Sequence, residues 1–124
     1  MTCPKPKSCR FVVLVSGHGS NLRALHDSMV QGPEMNGSKV NGSVVGVISN
    51  RPQAQALVWA KEQGIATELI DHSLYESREA FDVELKRAVD AFSPDFILLA
   101  GFMRILTPTF VNAYLGRLIN IHPS

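Results

Sequence analysis

The hydrophobic pattern of the chain alternates short apolar runs with longer stretches of helical periodicity. Five runs are short and rich in apolar or β-branched residues: 10–15, 43–49, 66–70, 96–100 and 118–121. The first run, RFVVLV, is apolar at consecutive positions, which is typical of a central strand buried on both faces. Strands that alternate with helices predict an α/β fold. We therefore expect a Rossmann-like open, mostly parallel twisted sheet with helices on both faces.

Four helices are predicted in the segments between these strands: residues 21–29, 52–63, 78–92 and 108–114. The third has the clearest pattern, with apolar residues on one face, Ser77 to cap its start and Pro94 after its end. Gly64 follows the second helix and can adopt the left-handed conformation of a C-terminal cap. Thr107 and Pro108 can open the fourth helix as cap and first helical residue.

The chain is expected to form one domain. Residues 1–9 contain lysine and proline but no apolar segment of the kind found in signal peptides, so we interpret them as a flexible leader. Residues 10–124 then form the folded part, without an internal repeat or linker. Glycine, proline and asparagine are concentrated in residues 31–42, which indicates a surface loop.

Composition excludes several classes of protein. The 124 residues are 45% hydrophobic and 19% charged, with a formal net charge of +1, as in an ordinary soluble globular protein. Because basic runs and long apolar runs are both missing, we expect neither nucleic-acid binding nor a membrane span. Cys3 and Cys9 have no histidine or cysteine nearby at metal-binding spacing, so no metal site is predicted. They are expected to be free thiols in the reducing cytoplasm.

The turn after the first predicted strand has the composition of an anion site. Residues 16–21 (SGHGSN) join a strand to a helix, where backbone N–H groups and the helix dipole face a bound ligand. Glycine allows close approach of the backbone, and Ser20 and Asn21 can add side-chain donors. A tight turn in which Ser20 only caps the helix remains an alternative.

A dinucleotide site is the main rival interpretation of this turn. The pattern G-x-G-x-x-G is broken because Leu22 stands at the third glycine, and no acidic residue ends the second strand. However, Arg51 follows that strand, and an arginine there can receive the 2′-phosphate of NADP. An NADP-binding domain of an oxidoreductase is therefore kept open, beside the interpretation of Arg51 as a solvated loop charge.

Two further segments follow the fourth and fifth strands. Met103 and Ile105 can either pack into the core or form an apolar wall for a flat ligand. Asn120 and His122 alternate along an extended strand and so point to the same side. An amide donor beside an imidazole suits a reaction in which charge develops on a carbonyl oxygen and a proton moves, although a structural histidine is also possible. The other histidines are expected to be solvated: His18, His26 and His72.

Four motifs together resemble the folate-dependent formyltransferases, in particular those that act on phosphoribosylglycinamide. They are S-G-x-G-S-N-L at 16–22, S-R-E-A-F-D at 77–82, L-A-G-F-M-R-I-L at 99–106 and N-I-H-P-S at 120–124. The resemblance covers essentially all residues after the leader and implies the formyltransferase fold. It also implies transfer of a formyl group from 10-formyltetrahydrofolate to the amine of phosphoribosylglycinamide in purine biosynthesis.

The resemblance also implies roles for individual residues. The substrate phosphate would be bound by Gly19, Ser20 and Asn21. The folate co-substrate would be contacted by Arg78, Met103, Arg104, Ile105, Leu106 and Asn120. Asn120 would bind the formyl oxygen, and His122 would act as the general acid that protonates the departing folate nitrogen.

The sequence departs from the family pattern after N-I-H-P-S. Members of the family continue into further strands, a folate-binding loop and an aspartate that tunes the histidine. Residues 10–124 are therefore expected to be the N-terminal, phosphate-binding part of the domain, truncated after its fifth strand. Such a chain should be inactive alone, or act only as a phosphate-binding fragment, and should self-associate through its exposed sheet edge.

Overall fold

The computed structural model describes residues 9–17, 42–52, 54–102 and 106–121. The strands in these ranges are β1 Cys9–Val15, β2 Gly42–Ser49, β3 Ala66–Leu69, β4 Phe96–Ala100 and β5 Leu118–Ile121. The α-helices are α1 Gln55–Glu62, α2 Arg78–Ala91 and α3 Pro108–Ala113, and a 3₁₀ helix spans His72–Leu74. The predicted helix over residues 21–29 lies outside the described residues.

The five described strands form one parallel sheet in the order β3-β2-β1-β4-β5. The central strand is β1, and its residues Phe11 to Val15 are all buried. The chain moves outward from β1 through β2 to β3, then crosses back to place β4 on the other side of β1. This order confirms the predicted Rossmann-like open sheet.

Apolar side chains cover both faces of the sheet, because alternate residues of each strand point to opposite sides. One face packs against α1, and its cluster includes Phe11, Val13, Leu98, Ala56 and Leu57. The other face packs against α2 and α3, and its cluster includes Val12, Ile97, Leu85, Phe110 and Tyr114. Helices therefore lie on both faces, as predicted.

Apart from the start of α1, the predicted boundaries of the described elements match the observed ones or differ from them by one residue. β1 begins at Cys9, which the sequence assigned to the leader, and β2 begins at Gly42, which the sequence assigned to the loop. These two residues pair with each other, so the ladder between β1 and β2 starts one residue early in both strands. Pairing between distant segments determines this start, and local composition does not reveal it.

The helix caps explain where α2 and α3 begin. The Ala80 N–H donates to Ser77 Oγ at 3.0 Å, and the Phe110 N–H donates to Thr107 Oγ1 at 3.3 Å. Each bond satisfies an N–H group that the helix itself leaves open. Gly64, after α1, has a φ of 78°, which confirms its predicted left-handed conformation.

α1 begins at Gln55, three residues later than predicted. Its cap residue, Ala54, has no side chain that could accept a hydrogen bond. Instead, the Ala56 N–H donates a 3.2 Å hydrogen bond to the carbonyl oxygen of Gly17. Gly17 is distant in the sequence and lies two residues after the end of β1. The start of α1 is therefore set by a tertiary contact rather than by a local capping residue.

None of the helices in the described ranges combines the length and the apolar character that crossing a membrane requires.

Candidate active site

The described residues of three of the four motifs lie at one edge of the sheet. The first follows β1, the third begins within β4 and continues past its end, and the fourth begins in β5. Because β1, β4 and β5 are neighbouring parallel strands, their carboxyl ends lie side by side. Strand order reverses between β1 and β4, and open α/β sheets bind ligands outside the carboxyl ends at such a point. The candidate site therefore lies at this edge.

Asn120 is the described side chain with a predicted catalytic role. It lies in β5, pairs in register with Leu99 of β4, and is exposed. Its position next to the last residue of β5 places it at the carboxyl edge of the sheet. The amide can therefore reach a ligand that lies over the ends of β4 and β5.

Two predicted folate contacts are also described. Arg78 is the first residue of α2 and is exposed. The chain leaves β3 at the carboxyl edge, so α2 begins on the same side of the sheet as Asn120. Leu106 is half-buried and packs against the cluster formed with α2 and α3. Its side chain thus belongs at least partly to the core.

The other predicted site residues lie outside the described residues: Gly19, Ser20, Asn21, Met103, Arg104, Ile105 and His122. Their roles stay predictions. Described residues do, however, flank each of these segments: Gly17 comes before the turn, Phe102 and Leu106 lie on either side of residues 103–105, and Ile121 comes before His122. These flanking residues follow the carboxyl ends of β1 and β4 or end β5, at the same edge of the sheet.

A buried polar network at the same edge was not found from the sequence. Ser16 Oγ, just after β1, donates a 2.6 Å hydrogen bond to Oδ1 of Asn50, just after β2. The His72 ring, after β3, has Nδ1 at 2.9 Å from the Asn50 carbonyl oxygen. The prediction that His72 is simply solvated was wrong, because its half-buried ring is held against Asn50. The sequence signal that could have indicated this network is that polar residues lie just after each of β1, β2 and β3.

Arg51, the residue that an NADP site would use, is exposed. Its backbone N–H donates to Ser49 Oγ at 3.1 Å, so the loop around it is held close to β2. An exposed guanidinium at this place is compatible with an anion contact and equally with a solvated charge. Geometry therefore leaves both interpretations open.

Asp82, the last residue of the S-R-E-A-F-D motif, is a second feature that sequence reasoning missed. Its buried Oδ2 accepts a 2.7 Å hydrogen bond from the Thr107 N–H. Oδ1 has no hydrogen-bond partner within the described part of the chain. The carboxylate thus ties α2 to the segment that directly follows Leu106, one of the predicted folate contacts.

The described residues contain no group of three or more histidine, cysteine, aspartate or glutamate side chains that could hold a metal ion. The polar groups described at the edge include amides, hydroxyls, an imidazole and arginines, together with the Asp71 carboxylate, which accepts hydrogen bonds from Ser73. Amides, hydroxyls and arginines can bind anions and polarise carbonyl oxygens.

The fold and this edge define an α/β protein with a candidate ligand site at the switch point of a parallel sheet. Residues 9–124 match the family described as "Formyl transferase". The chain therefore belongs to the formyl transferase family.

Individual relatives agree with this assignment. The chain is 49% identical over 114 residues to the phosphoribosylglycinamide formyltransferase of Escherichia coli (strain K12), covering 92% of this chain and 51% of that protein. It is 44% identical over 118 residues to the human trifunctional purine biosynthetic protein adenosine-3, covering 95% of this chain and 11% of that protein.

Solved structures show the same likeness. The phosphoribosylglycinamide formyltransferase of Coxiella burnetii, in complex with CHES, superposes with a TM-score of 0.83 at 38% identity. The match covers 94% of this chain and 52% of that structure. The chain thus spans about half the length of the E. coli protein and of the Coxiella structure.

Proposed function

We propose that the protein transfers the formyl group of 10-formyltetrahydrofolate to the amine of phosphoribosylglycinamide, a step of de novo purine biosynthesis. The observation that carries this proposal is the convergence of three family motifs on the carboxyl ends of β1, β4 and β5. A transferase must bring a donor and an acceptor together, and this edge offers adjacent segments for each. The names of the relatives described above support the choice of substrates.

The phosphate of the acceptor would bind at the turn after β1. Glycines at 17 and 19 allow the backbone N–H groups to approach an anion, and the side chains of Ser20 and Asn21 add donors. One phosphate group suits this turn better than a pyrophosphate, because Leu22 replaces the glycine that a dinucleotide fingerprint requires.

The folate would lie across the ends of β4 and β5. Its proposed contacts are Arg78, Met103, Arg104, Ile105, Leu106 and Asn120. Apolar side chains after β4 would pack on the flat ring system, and the two arginines would add charged donors. The Asp82–Thr107 hydrogen bond supports this placement, because it fixes the end of the segment that carries most of these contacts.

The chemistry needs an oxyanion stabiliser and a proton donor. The amine nitrogen of the acceptor attacks the formyl carbon, and negative charge develops on the formyl oxygen. The Asn120 amide donates a hydrogen bond to that oxygen, where such bonds strengthen in the transition state. His122 then protonates the folate nitrogen as its bond to the formyl carbon breaks, and the acceptor nitrogen gives up one proton to solvent water, which returns a proton to His122. The amine is itself the nucleophile, so no serine, cysteine or metal ion has to supply one.

We further propose that the protein works in the cytoplasm with these two small molecules as its partners. The purine-biosynthetic names of its relatives support this location. Neither nucleic acid nor membrane contact has a role in the proposed reaction.

Binding of the acceptor separates this function from that of an NADP-dependent oxidoreductase. Calorimetry should detect phosphoribosylglycinamide and inorganic phosphate binding at the turn, with NADP binding more weakly than the acceptor. Arg51→Ala should leave acceptor binding unchanged, as should the control Lys61→Ala, which removes a charge from the last turn of α1. Tight NADP binding that Arg51→Ala abolishes would favour the oxidoreductase instead. If the full-length protein bound the acceptor but transferred no formyl group, its role would be limited to phosphate binding.

A further inference from the structure

Three strand ends are joined by a hydrogen-bonded network centred on Asn50. Its Oδ1 accepts from Ser16 Oγ after β1 at 2.6 Å, and both groups are buried. Its carbonyl oxygen lies 2.9 Å from His72 Nδ1 and 3.3 Å from the His72 N–H. Asn50 therefore contacts the segments after β1 and β3 from its own place after β2.

The neighbours of the His72 ring indicate which of its nitrogens donates. Nδ1 lies nearer to the Asn50 carbonyl oxygen, at 2.9 Å, than to the Asn50 amide nitrogen, at 3.4 Å. A carbonyl can only accept, so Nδ1 carries the proton and donates it there. The ring consequently holds the Asn50 backbone, while the Asn50 side chain is directed to Ser16.

The residue after Ser16 has a second attachment. The carbonyl oxygen of Gly17 accepts from the Ala56 N–H in the first turn of α1 at 3.2 Å. Ser16 is thus held by its side chain and Gly17 by its backbone, at the two residues where the proposed phosphate turn begins. The backbone N–H groups that follow can point at an anion only if this entry has a fixed direction.

We propose that Asn50 is a positioning residue for the phosphate turn: by accepting from Ser16 Oγ, it fixes the direction in which the chain leaves β1. This inference rests on the function proposed above, since it assumes that the turn binds the phosphate of the acceptor. Asn50 itself does not touch the substrate.

An asparagine suits this position for two physical reasons. Its side chain is long enough to cross from the end of β2 to the end of β1, and it accepts a hydrogen bond without charge. An aspartate would place a negative charge in a site that is 1% exposed and lies beside a turn meant for an anion. A neutral acceptor holds Ser16 without repelling the phosphate.

The test compares Asn50→Ala and Ser16→Ala with Ser49→Ala in the full-length protein. Ser49 is the matched control, because it is equally buried at the end of β2, while its hydroxyl bonds, among the described residues, only to the backbone of Arg51. We expect the KM for phosphoribosylglycinamide and the Kd for inorganic phosphate to rise roughly five- to tenfold in the first two variants. The KM for 10-formyltetrahydrofolate and kcat should stay within about twofold of wild type, because the β4 and β5 ends are not attached to Asn50.

The double variant Asn50→Ala/Ser16→Ala should be no worse than either single variant, since both remove the same bond. The positioning role would be overturned if the losses of acceptor affinity in the two single variants added up in the double variant. It would also be overturned if Asn50→Ala and Ser16→Ala bound the acceptor as well as Ser49→Ala does, or if every kinetic constant changed in parallel. If Asn50→Ala does not fold, Ser16→Ala, which removes only the hydroxyl, decides. If the wild-type protein binds neither the acceptor nor phosphate, the proposed function itself is wrong and this inference falls with it.

Discussion

Asn120 and His122 illustrate how much one strand can do at the scale of single residues. Side chains two positions apart on an extended strand point to the same side. Asn120 is exposed near the end of β5, next to β4, where the proposed folate contacts follow. The same alternation predicts that the imidazole of His122 follows the amide on that side. Polarisation of the formyl oxygen and delivery of a proton would then come from neighbouring positions.

Replacing His122 tests the proton-transfer step. In the full-length protein, His122→Ala should lower kcat by roughly 100-fold or more, because general-acid catalysis typically contributes that much. The KM values should change less, since the imidazole acts in the transition state rather than in ground-state binding. Steady-state kinetics with both substrates varied gives this comparison. His26→Ala, at a histidine of the predicted first helix, is the control, and turnover of His122→Ala within a few-fold of wild type would contradict the mechanism.

At the scale of elements, local sequence signals predicted most of the secondary structure. Ser77 and Thr107 were expected as caps, and both accept the hydrogen bonds that a cap should. Gly64 was expected to end a helix in the left-handed conformation and has a positive φ. These predictions succeed because the interacting groups lie within three or four residues of each other.

Contacts between distant segments account for what the sequence did not reveal. The Ser16–Asn50 bond joins residues 34 positions apart, and the Asp82–Thr107 bond joins residues 25 positions apart. No periodic pattern encodes such a pair, because each partner is an ordinary polar residue near the end of an element. The predicted open sheet indicated a ligand turn after the first strand, but not which side chains bond between the strand ends.

A bulge in β2 is a further feature that the hydrophobic pattern conceals. Phe11 pairs with Val44, whereas Val12 pairs with Gly46, so Val45 is the extra residue. A Cβ on Gly46 would lie 2.7 Å from the ring of Phe92, which follows α2. The glycine therefore allows the end of α2 to pack closely on the strand. An isolated glycine within a strand was the available signal.

The contact between α2 and the end of α3 provides a stability prediction. The buried Tyr114 hydroxyl donates a 2.6 Å hydrogen bond to Asp90 Oδ1. Tyr114→Phe removes this bond and should lower the free energy of unfolding by about 1 kcal/mol, less than is typical of bonds to charged groups, because Asp90 is half exposed. Chemical denaturation measures the loss. Tyr75→Phe is the control, since its hydroxyl has no hydrogen-bond partner in the described ranges, and equal losses in both variants would contradict the role of the bond.

The same pair predicts how that difference depends on pH. Burial and the hydrogen bond to Asp90 raise the pKa of Tyr114 above its ordinary value of 10.0. Burial raises the pKa of Asp90, but the hydrogen bonds from Lys86 and Tyr114 have a larger opposite effect. The pKa of Asp90 therefore lies below its ordinary value of 3.8. The stabilisation by Tyr114 should therefore persist up to pH 10 and disappear above it, while that by Asp90 should disappear as the pH falls below 4. A difference in unfolding free energy between wild type and Tyr114→Phe that stays constant from well below pH 4 to well above pH 10 would contradict the assignment.

At the scale of the whole molecule, the sheet has two outer strands among the described residues, β3 and β5. An outer strand offers unpaired backbone groups to another strand. Leu118 and Ile119 of β5 are only half-buried, so apolar surface accompanies this open edge. The chain also spans about half the length of the E. coli relative. These facts together motivate the prediction of self-association and a test by complementation.

We expect the 124-residue chain alone to bind phosphoribosylglycinamide weakly and folate poorly, and to show no formyl transfer. The turn after β1 needs only the strands around it, whereas a catalytic histidine needs a partner that orients it and raises its pKa. Mixing the chain with the part of the E. coli protein that lies beyond the 51% it matches should restore some transfer, because that part can cover β5 and supply such a partner.

The assay follows the absorbance change as 10-formyltetrahydrofolate loses its formyl group. The E. coli part alone and the mixture carrying His122→Ala are the controls. Sedimentation should show the self-association of the chain diminish in the mixture. Rapid transfer by the chain alone would show that the remaining part is dispensable, and a stable complex without any transfer would contradict the proposed function.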